Sequence, residues 1–458
     1  MSNCLSFGND PWRLKDNRHG AKFAEKICGL SHEFLKPWSG LKFEKWQELG
    51  VTAITKERTA EDDSASLSFF TLGKDEDSRW IDTHNCMGVV RLHDKKTGKS
   101  IQIEIGSRFD SDDKNQFFLT YLLSKAFGGS FTDLVELGND SLWDLLLAFA
   151  FRHSLDKAAH LGPYKQYQNF QHNDLHIRGK IDTTRHLREN VPFVGRMAYG
   201  TRDITYDNPT NHLIRHALTK LNRKWGCFFG SDNRLSELRR QIEQNTPTWQ
   251  PGKLLNCLRQ KENLMPIKHP YYQSAYEPLR LLSLSILRNE GASLYQTDRE
   301  AQGVIFDGSW LWEEYLWTLL DKEMLGFEHP ENKKRSGEWK TNVSGISYFP
   351  DFFHRKKRIV LDAKYRLDNK TNDSFKNDVR QVFAYMFILD AVHGGLIKPD
   401  GEANHQNLIR RQGIDRPKAW WHNFCVPPAS SVTDADTFVS EMKTKEREFL
   451  DEIKKLIA

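Results

Sequence analysis

The sequence predicts an α+β multidomain protein with a small β-rich amino-terminal module, a helical middle region and a carboxy-terminal α/β domain whose mixed central sheet is flanked by helices. Three observations lead there. The chain has 458 residues, room for about three domains at roughly 150 residues each. Strand-like runs gather near residues 87–105 and 348–363, with helix-period runs between and after them. Trp, Tyr and Phe make up 12% of the chain and charged residues 28%, too aromatic for a disordered chain and too polar for one embedded in a membrane. The expected boundaries are 1–115, 116–294 and 295–458.

The amino-terminal segment mixes Trp12, Phe34, Trp38 and Trp46 with many charges, and the polar stretch from Thr55 to Ser66 lacks any period and reads as a mobile loop. The longest clean apolar run, Leu145 to Phe151, falls far short of the roughly 18 residues that span a bilayer. Asp10, Pro11 and Arg13 interrupt the stretch a secretory peptide would need to keep apolar. Cys4, Cys28, Cys86, Cys227, Cys257 and Cys425 are scattered without a paired spacing and read as free thiols. Together these features predict a cytoplasmic chain with no membrane contact. A net charge of +5 permits nucleic-acid binding without demonstrating it.

From Cys86 the pattern sharpens. Met87 to His93 and the strictly alternating Ile101 to Ile105 form a hairpin, turning through the basic segment Asp94 to Ser100, where Gly98 can take a positive φ. Gly98-Lys99-Ser100 resembles the end of a phosphate loop, but His93 stands where the first glycine is required and the turn joins two strands. The chain is therefore expected to bind no nucleotide, and any triphosphate hydrolysis must come from a partner.

Phe117 to Phe127 and Ser141 to Leu155 carry apolar residues at helical spacing, with Asp144 as a polar residue inside the second. Asn208 before Pro209 is placed to cap a further helix. His172 and His176 stand four apart, yet no third ligand follows at a metal-site spacing. Arg178, Lys180, Arg185 and Arg188 form a cationic cluster with two readings: contact with DNA phosphates, or pairing with Asp182 and Glu189.

The chemistry is concentrated between Tyr348 and Arg366. Asp351 opens one strand, His354 to Arg358 is a turn, and Ile359 to Ala363 is an apolar strand that carries Asp362 and ends at Lys364. Two carboxylates on adjacent strands, one of them in a run as apolar as IVLDA, are expensive to bury unless a hard divalent cation neutralises them. Pro350-Asp351, ten further residues and then Asp362-Ala363-Lys364 make the PD-(D/E)xK pattern of metal-dependent nucleases. There two acids hold Mg²⁺, with Mn²⁺ as a substitute, and the lysine orients the attacking water. Upstream, Ser309 to Leu320 is an amphipathic helix carrying Glu313 as a candidate third metal ligand. Downstream, Gln381 and Tyr385 share a face of the helix Asp378 to Asp390, the QxxxY arrangement of RecB-like nucleases. The four cations Arg355, Lys356, Lys357 and Arg358 sit on the hairpin turn, either tracking a DNA backbone or solvated at its tip.

In this order the segments resemble the McrC family, the nuclease subunit of McrBC-type and LlaJI-like restriction systems. The resemblance covers roughly residues 80–458 and includes the hairpin at Val89-Val90 to Ile105, the Phe117 to Phe127 helix, Arg178-Gly179-Lys180-Ile181-Asp182, Asp207-Asn208-Pro209 with Asn211, Phe306-Asp307 and Leu311-Trp312-Glu313. It implies a metal-dependent endodeoxyribonuclease acting on double-stranded DNA, with metal held by Glu313, Asp351 and Asp362, Lys364 at the catalytic water, and Gln381 and Tyr385 in support. It also implies a partner, an McrB-like AAA+ GTPase or ATPase ring that the amino-terminal half of McrC enters and stimulates. A motor-independent RecB-like nuclease and a non-cleaving DNA clamp that activates such a ring are the competing readings. The first 80 residues have no counterpart, and no motor-contacting residue is assigned.

Overall fold

In the computed structural model the described residues are 12–16, 21–22, 32–55, 68–74, 79–94, 98–110, 116–128, 131, 142–229, 233–288, 301–323, 325–329, 339–340, 347–366, 373–400, 404–407, 418–427 and 434–458. The polar stretch 56–66 and the hairpin tip 95–97 lie outside them. The chain divides into two compact units, one formed by Met1–Ala150 with Gln296–Ala458 and the other by Phe151–Tyr295. This differs from three consecutive domains, and the reason is a long-range strand pairing. Ala301–Asp307, expected to open the carboxy-terminal domain, completes the amino-terminal sheet: it lies antiparallel to Cys86–Asp94 and parallel to Val51–Ile54. The five strands run in the order Trp12–Lys15, Lys99–Gly106, Cys86–Asp94, Ala301–Asp307, Val51–Ile54.

The hairpin expected here is present, with His93 opposite Ser100 and Asp94 opposite Lys99. Gly303 takes φ +143° in mid-strand, where a Cβ would stand 2.1 Å from the Val89 carbonyl oxygen; only glycine lets these two strands meet so closely. Helix Phe43–Leu49 turns Phe43 and Trp46 into this sheet, where Trp38, Trp46, Phe69, Phe70, Ile103 and Ile305 share one core.

The second sheet of the same unit is mixed. Its order is Phe352–His354, Ile359–Ala363, His393–Asp400, Lys418–Cys425, Asn404–Asn407. The first pair is antiparallel, the next two are parallel and the last is antiparallel. Helix Asp373–Ile388 covers one face through Val382, Tyr385 and Met386, which pack on Val360 and Leu396. On the other face helices Gly308–Lys322 and Ala435–Ile457 meet Phe424, with Trp312 at 5.7 Å and Phe449 at 5.7 Å between ring centroids. Burying both faces explains why IVLDA shows no alternation. Helix Phe117–Phe127 also belongs here, with the Tyr121 and Tyr315 hydroxyls both donating to buried Glu446, at 2.8 and 3.0 Å. A middle domain beginning at 116 would cut that contact.

In the other unit helices Pro209–Phe229 and Pro270–Arg288 pack together. Asn208 caps the first as expected, its Oδ1 accepting the Asn211 amide at 3.0 Å. The unit is not purely helical. Gln166–Asp174, Met197–Thr205 and Lys180–Ile181 form a three-stranded antiparallel sheet. The run QYQNFQHND is mostly polar and half-exposed, so its sequence carries little strand pattern. No helix among the described residues is long and apolar enough to cross a membrane.

Candidate functional site

Strand pairing builds the site. Phe352 faces Leu361 across the antiparallel pair, so the next residue of each strand brings Asp351 opposite Asp362 at the strand end. The Asp351 Oδ2 accepts the Ala363 amide at 2.9 Å, locking that carboxylate onto the partner strand. Both acids are buried, Asp351 at 6% and Asp362 at 1% exposure. Lys364, partly buried, places Nζ 2.9 Å from Asp362 Oδ2. The ammonium thus pairs with that carboxylate at close range.

Electrostatics follow from that burial. Desolvation pushes Asp362 up to about 7, with Lys364 opposing and Asp351 and Asp378 adding to the rise. Burial pulls Lys364 down, but Asp362, Asp351 and Asp378 outweigh it and keep the ammonium above its ordinary value. Gln381 donates to the Tyr385 hydroxyl at 2.7 Å, and that hydroxyl donates to the Phe349 carbonyl at 2.9 Å, bracing the segment that leads into Asp351. Burial and the charges of Asp362 and Asp351 raise the Tyr385 hydroxyl well above its ordinary range, which places the QxxxY pair beside the acids.

Two site residues had no signal in the sequence pattern. Asp378, one turn before Gln381, is buried and pairs with Arg366 at 3.1 Å and, more loosely, with Lys398 at 3.9 Å. His329 donates from Nδ1 to the Asp351 carbonyl at 2.7 Å and faces Glu314 through Nε2 at 3.9 Å. Burial works against its protonation, but Glu314, the Asp351 carbonyl and Glu313 together raise it. A single histidine between unrelated segments carries no spacing to read. Glu313 is buried on its helix and acts on His329. Among the described residues no three His, Cys, Asp or Glu side chains converge into a metal-holding group, so Glu313 is not brought together with Asp351 and Asp362 as one ligand set.

The acidic pair fits a hard cation. Two buried carboxylates stand on adjacent strand ends, and burial raises Asp362 despite Lys364, which suits an ion bound by one or two protein carboxylates with water and phosphate completing its shell.

A family model described as McrBC 5-methylcytosine restriction system component matches residues 81–399. The chain belongs to that McrBC family. The resemblance drawn from the sequence thus holds at the level of the family. Two solved structures from Thermococcus gammatolerans are similar to it. A half-complex of McrB AAA+ hexamers with bound McrC gives TM-score 0.49 at 16% identity, covering 97% of this chain and all of that one. The McrBC complex determined by cryo-electron microscopy gives 0.31 at 14%, covering 69% and 88%. No curated protein matches the chain.

The cations of this McrBC-family chain are placed unevenly. On the turn after His354, Arg355 makes a two-oxygen contact with Glu328 at 2.6 and 2.9 Å, and Arg358 pairs with Asp390 at 2.6 Å. Lys357 reaches the Ala458 main-chain oxygen at 3.3 Å, and all four side chains of the turn are exposed. Pairs this exposed are weak, so the turn still presents its cations to solvent. In the other unit, Arg178 and Lys180 are exposed, Arg178 lying 3.5 Å from Asp174.

Arg185 is a correction to the DNA-facing cluster: it donates to the carbonyls of His172 and Tyr199, both at 2.8 Å, tying the two long strands together. It and Arg188 also pair with Asp182 and Glu189, the alternative reading of this segment. His172 stacks on Tyr199 at 5.0 Å and bonds Thr201. Arg185→Ala should therefore destabilise this unit by about 2–3 kcal/mol, the scale of charge-assisted bonds to buried carbonyls. The salt dependence of DNA binding should stay unchanged; a shallower slope in a fluorescence-anisotropy salt series would return Arg185 to the DNA surface.

Proposed function

We propose that this chain is the Mg²⁺-dependent endodeoxyribonuclease subunit of a motor-driven restriction system active in the cytoplasm, one that hydrolyses double-stranded DNA and stimulates an AAA+ NTPase partner. The observation that carries the nuclease reading is the buried Asp351–Asp362 pair with Lys364 on the same strand end. Asp351 and Asp362 would hold the cation, Mg²⁺ or in its place Mn²⁺. When bound, that cation would polarise the scissile phosphate and acidify a water. Lys364 would orient the attacking water and offset charge developing on the phosphate. Gln381 and Tyr385 hold the backbone before Asp351 in register, and Glu313 and Glu314 act through His329 on the same segment. Arg355, Lys356, Lys357 and Arg358 on the turn, with Arg178 and Lys180 in the other unit, are exposed cations available to DNA phosphates.

Family membership supports the AAA+ partner, and so does the surface of the Phe151–Tyr295 unit. Leu175, Leu187, Val191, Phe193 and Val194 are each 60–68% exposed, which suits a protein interface better than a free surface. The deciding experiment incubates plasmid DNA with Mg²⁺ and the purified chain, with and without the AAA+ protein encoded beside it and its nucleotide. Cutting only with the motor supports the reading. Cutting by the chain alone would favour an independent nuclease, and raised NTP turnover without cutting would favour the clamp.

The position of Asp362 near 7 also sets a pH dependence. Its folded-state value lies above its unfolded one, so the cation must displace a proton below about pH 7. Mn²⁺ affinity measured by calorimetry should fall about tenfold per pH unit below 7 and level off above it. Affinity flat from pH 5.5 to 8 would remove Asp362 from the ligand set.

A further inference from the structure

A buried charge outside the acidic pair leads to a second part of the machinery. Asp16, just past the edge strand Trp12–Lys15, is fully buried, an arrangement that is stable only when the charge is matched. Its amide donates to the Gly106 carbonyl at 2.9 Å. Arg108 answers its carboxylate twice, with the backbone amide on Oδ1 and the guanidinium 3.4 Å from Oδ2. That guanidinium also donates to the His84 carbonyl at 2.7 Å and to Asn85 Oδ1 at 2.9 Å.

The group does not end in the amino-terminal sheet. Arg108 lies over the ring of Tyr365, 5.4 Å from its centroid, and Phe109 packs edge-on against the same ring at 5.0 Å. The Tyr365 hydroxyl shares a 2.7 Å hydrogen bond with Ser107 Oγ. Tyr365 directly follows Lys364, whose ammonium turns to Asp362 while its amide donates to the Ile397 carbonyl at 2.9 Å. One peptide unit thus carries a side chain committed to the acids and, next to it, a ring clasped by the other sheet. Asn85 extends the grip: its carbonyl accepts the Gly308 amide at 2.7 Å and its side chain donates to Ser309 Oγ at 3.1 Å, at the start of the Glu313 helix.

We propose that Asp16, Arg108 and Tyr365 form a positioning relay by which the amino-terminal sheet sets where Lys364 stands against Asp362, with Tyr365 as the residue that transmits it. The proposal rests on the nuclease reading. Ring packing alone would be served by phenylalanine. A hydroxyl held by Ser107 and a cation held by a buried acid add direction, and direction is what a lysine beside a reacting phosphate needs, since a misplacement of about 1 Å can cost about a hundredfold in rate.

The test is steady-state cleavage of plasmid DNA by the full chain with Mg²⁺, its AAA+ partner and nucleotide, alongside thermal melting and NTP turnover. Tyr365→Phe should lower kcat about tenfold with KM for DNA, melting temperature and NTP turnover unchanged. Ser107→Ala, which removes the hydroxyl's oxygen partner from the other sheet and leaves it the Met87 sulfur at 3.6 Å, should reproduce that split. Arg108→Met combined with Asp16→Asn, which removes the cation and the buried charge together, should do the same. Wild-type kcat in both Tyr365→Phe and Ser107→Ala overturns the relay, as does a rate loss that tracks melting temperature across the series. If Tyr365→Phe fails to fold, Ser107→Ala decides. An Asp362→Asn control separates the two failures: cutting by that variant sinks the nuclease reading, whereas an inert control beside fully active relay variants sinks the relay alone.

Discussion

Replacing Asp362 with Asn should give a chain that melts higher than the wild type at pH 8 and cuts no DNA. Both halves come from the same burial. The carboxyl is held near 7 even with the Lys364 ammonium beside it, so above that pH the metal-free protein carries a charge its surroundings disfavour. Asparagine keeps the shape and removes the charge, and Asp351 and Asp378 remain to face Lys364. For a group whose folded value is raised, stability is fully present below the unfolded value of 3.8 and is lost as pH rises through about 7. The advantage of the variant should therefore be present at pH 8, shrink as pH falls below about 7 and vanish only below about pH 4. Cleavage should fall about a thousandfold or more, because a ligand and its charge are both lost. Calorimetric melting at the two pH values and a plasmid assay check the prediction. Equal melting temperatures at pH 8 would mean that the buried acid is better compensated than its surroundings indicate, and retained cleavage would move the site elsewhere.

The second large effect is structural. Gly303→Ala should cost about 3 kcal/mol or more and lower the melting temperature by about 5–10 °C. The position combines φ +143° with a Cβ that would stand 2.1 Å from the Val89 carbonyl oxygen and 2.9 Å from the Val90 Cα. Neither neighbour is a side chain that can swing away; both are backbone in the adjacent strand. Gly88 presents the same problem from the other side, 2.3 Å from the Val304 oxygen. A melting temperature within about 2 °C of wild type would show that the ladder can shift to admit a methyl group.

Much of the region around the acidic pair was legible because its signals are local. The turn between Asp351 and Asp362, the Phe117–Phe127 helix and the shared face of Gln381 and Tyr385 each follow from a period or a spacing within about 20 residues. What could not be read is what long-range pairing decides. Nothing in AQGVIFD says that its neighbours are residues 51–54 and 86–92, yet that pairing moves a domain boundary. Asp378, His329 and Tyr365 reach the site from separate segments, so no motif joins them to it. Arg185 shows the opposite limit: a cation in a basic run reads like its neighbours until its two carbonyl partners are visible.

The strand order of the amino-terminal sheet has a consequence for synthesis. The hairpin Cys86–Asp94 and Lys99–Gly106 leaves the ribosome first, but the strand that pairs with its inner edge begins only at residue 301. At roughly 5–20 residues per second, that edge waits about 10–40 s for Ala301–Asp307. Throughout that time Met87, Val89 and Val90 stand beside unpaired backbone, the form of edge that recruits other nascent chains. Yield of soluble protein should consequently depend on translation speed and on chaperones that shield this hairpin until its distant partner arrives.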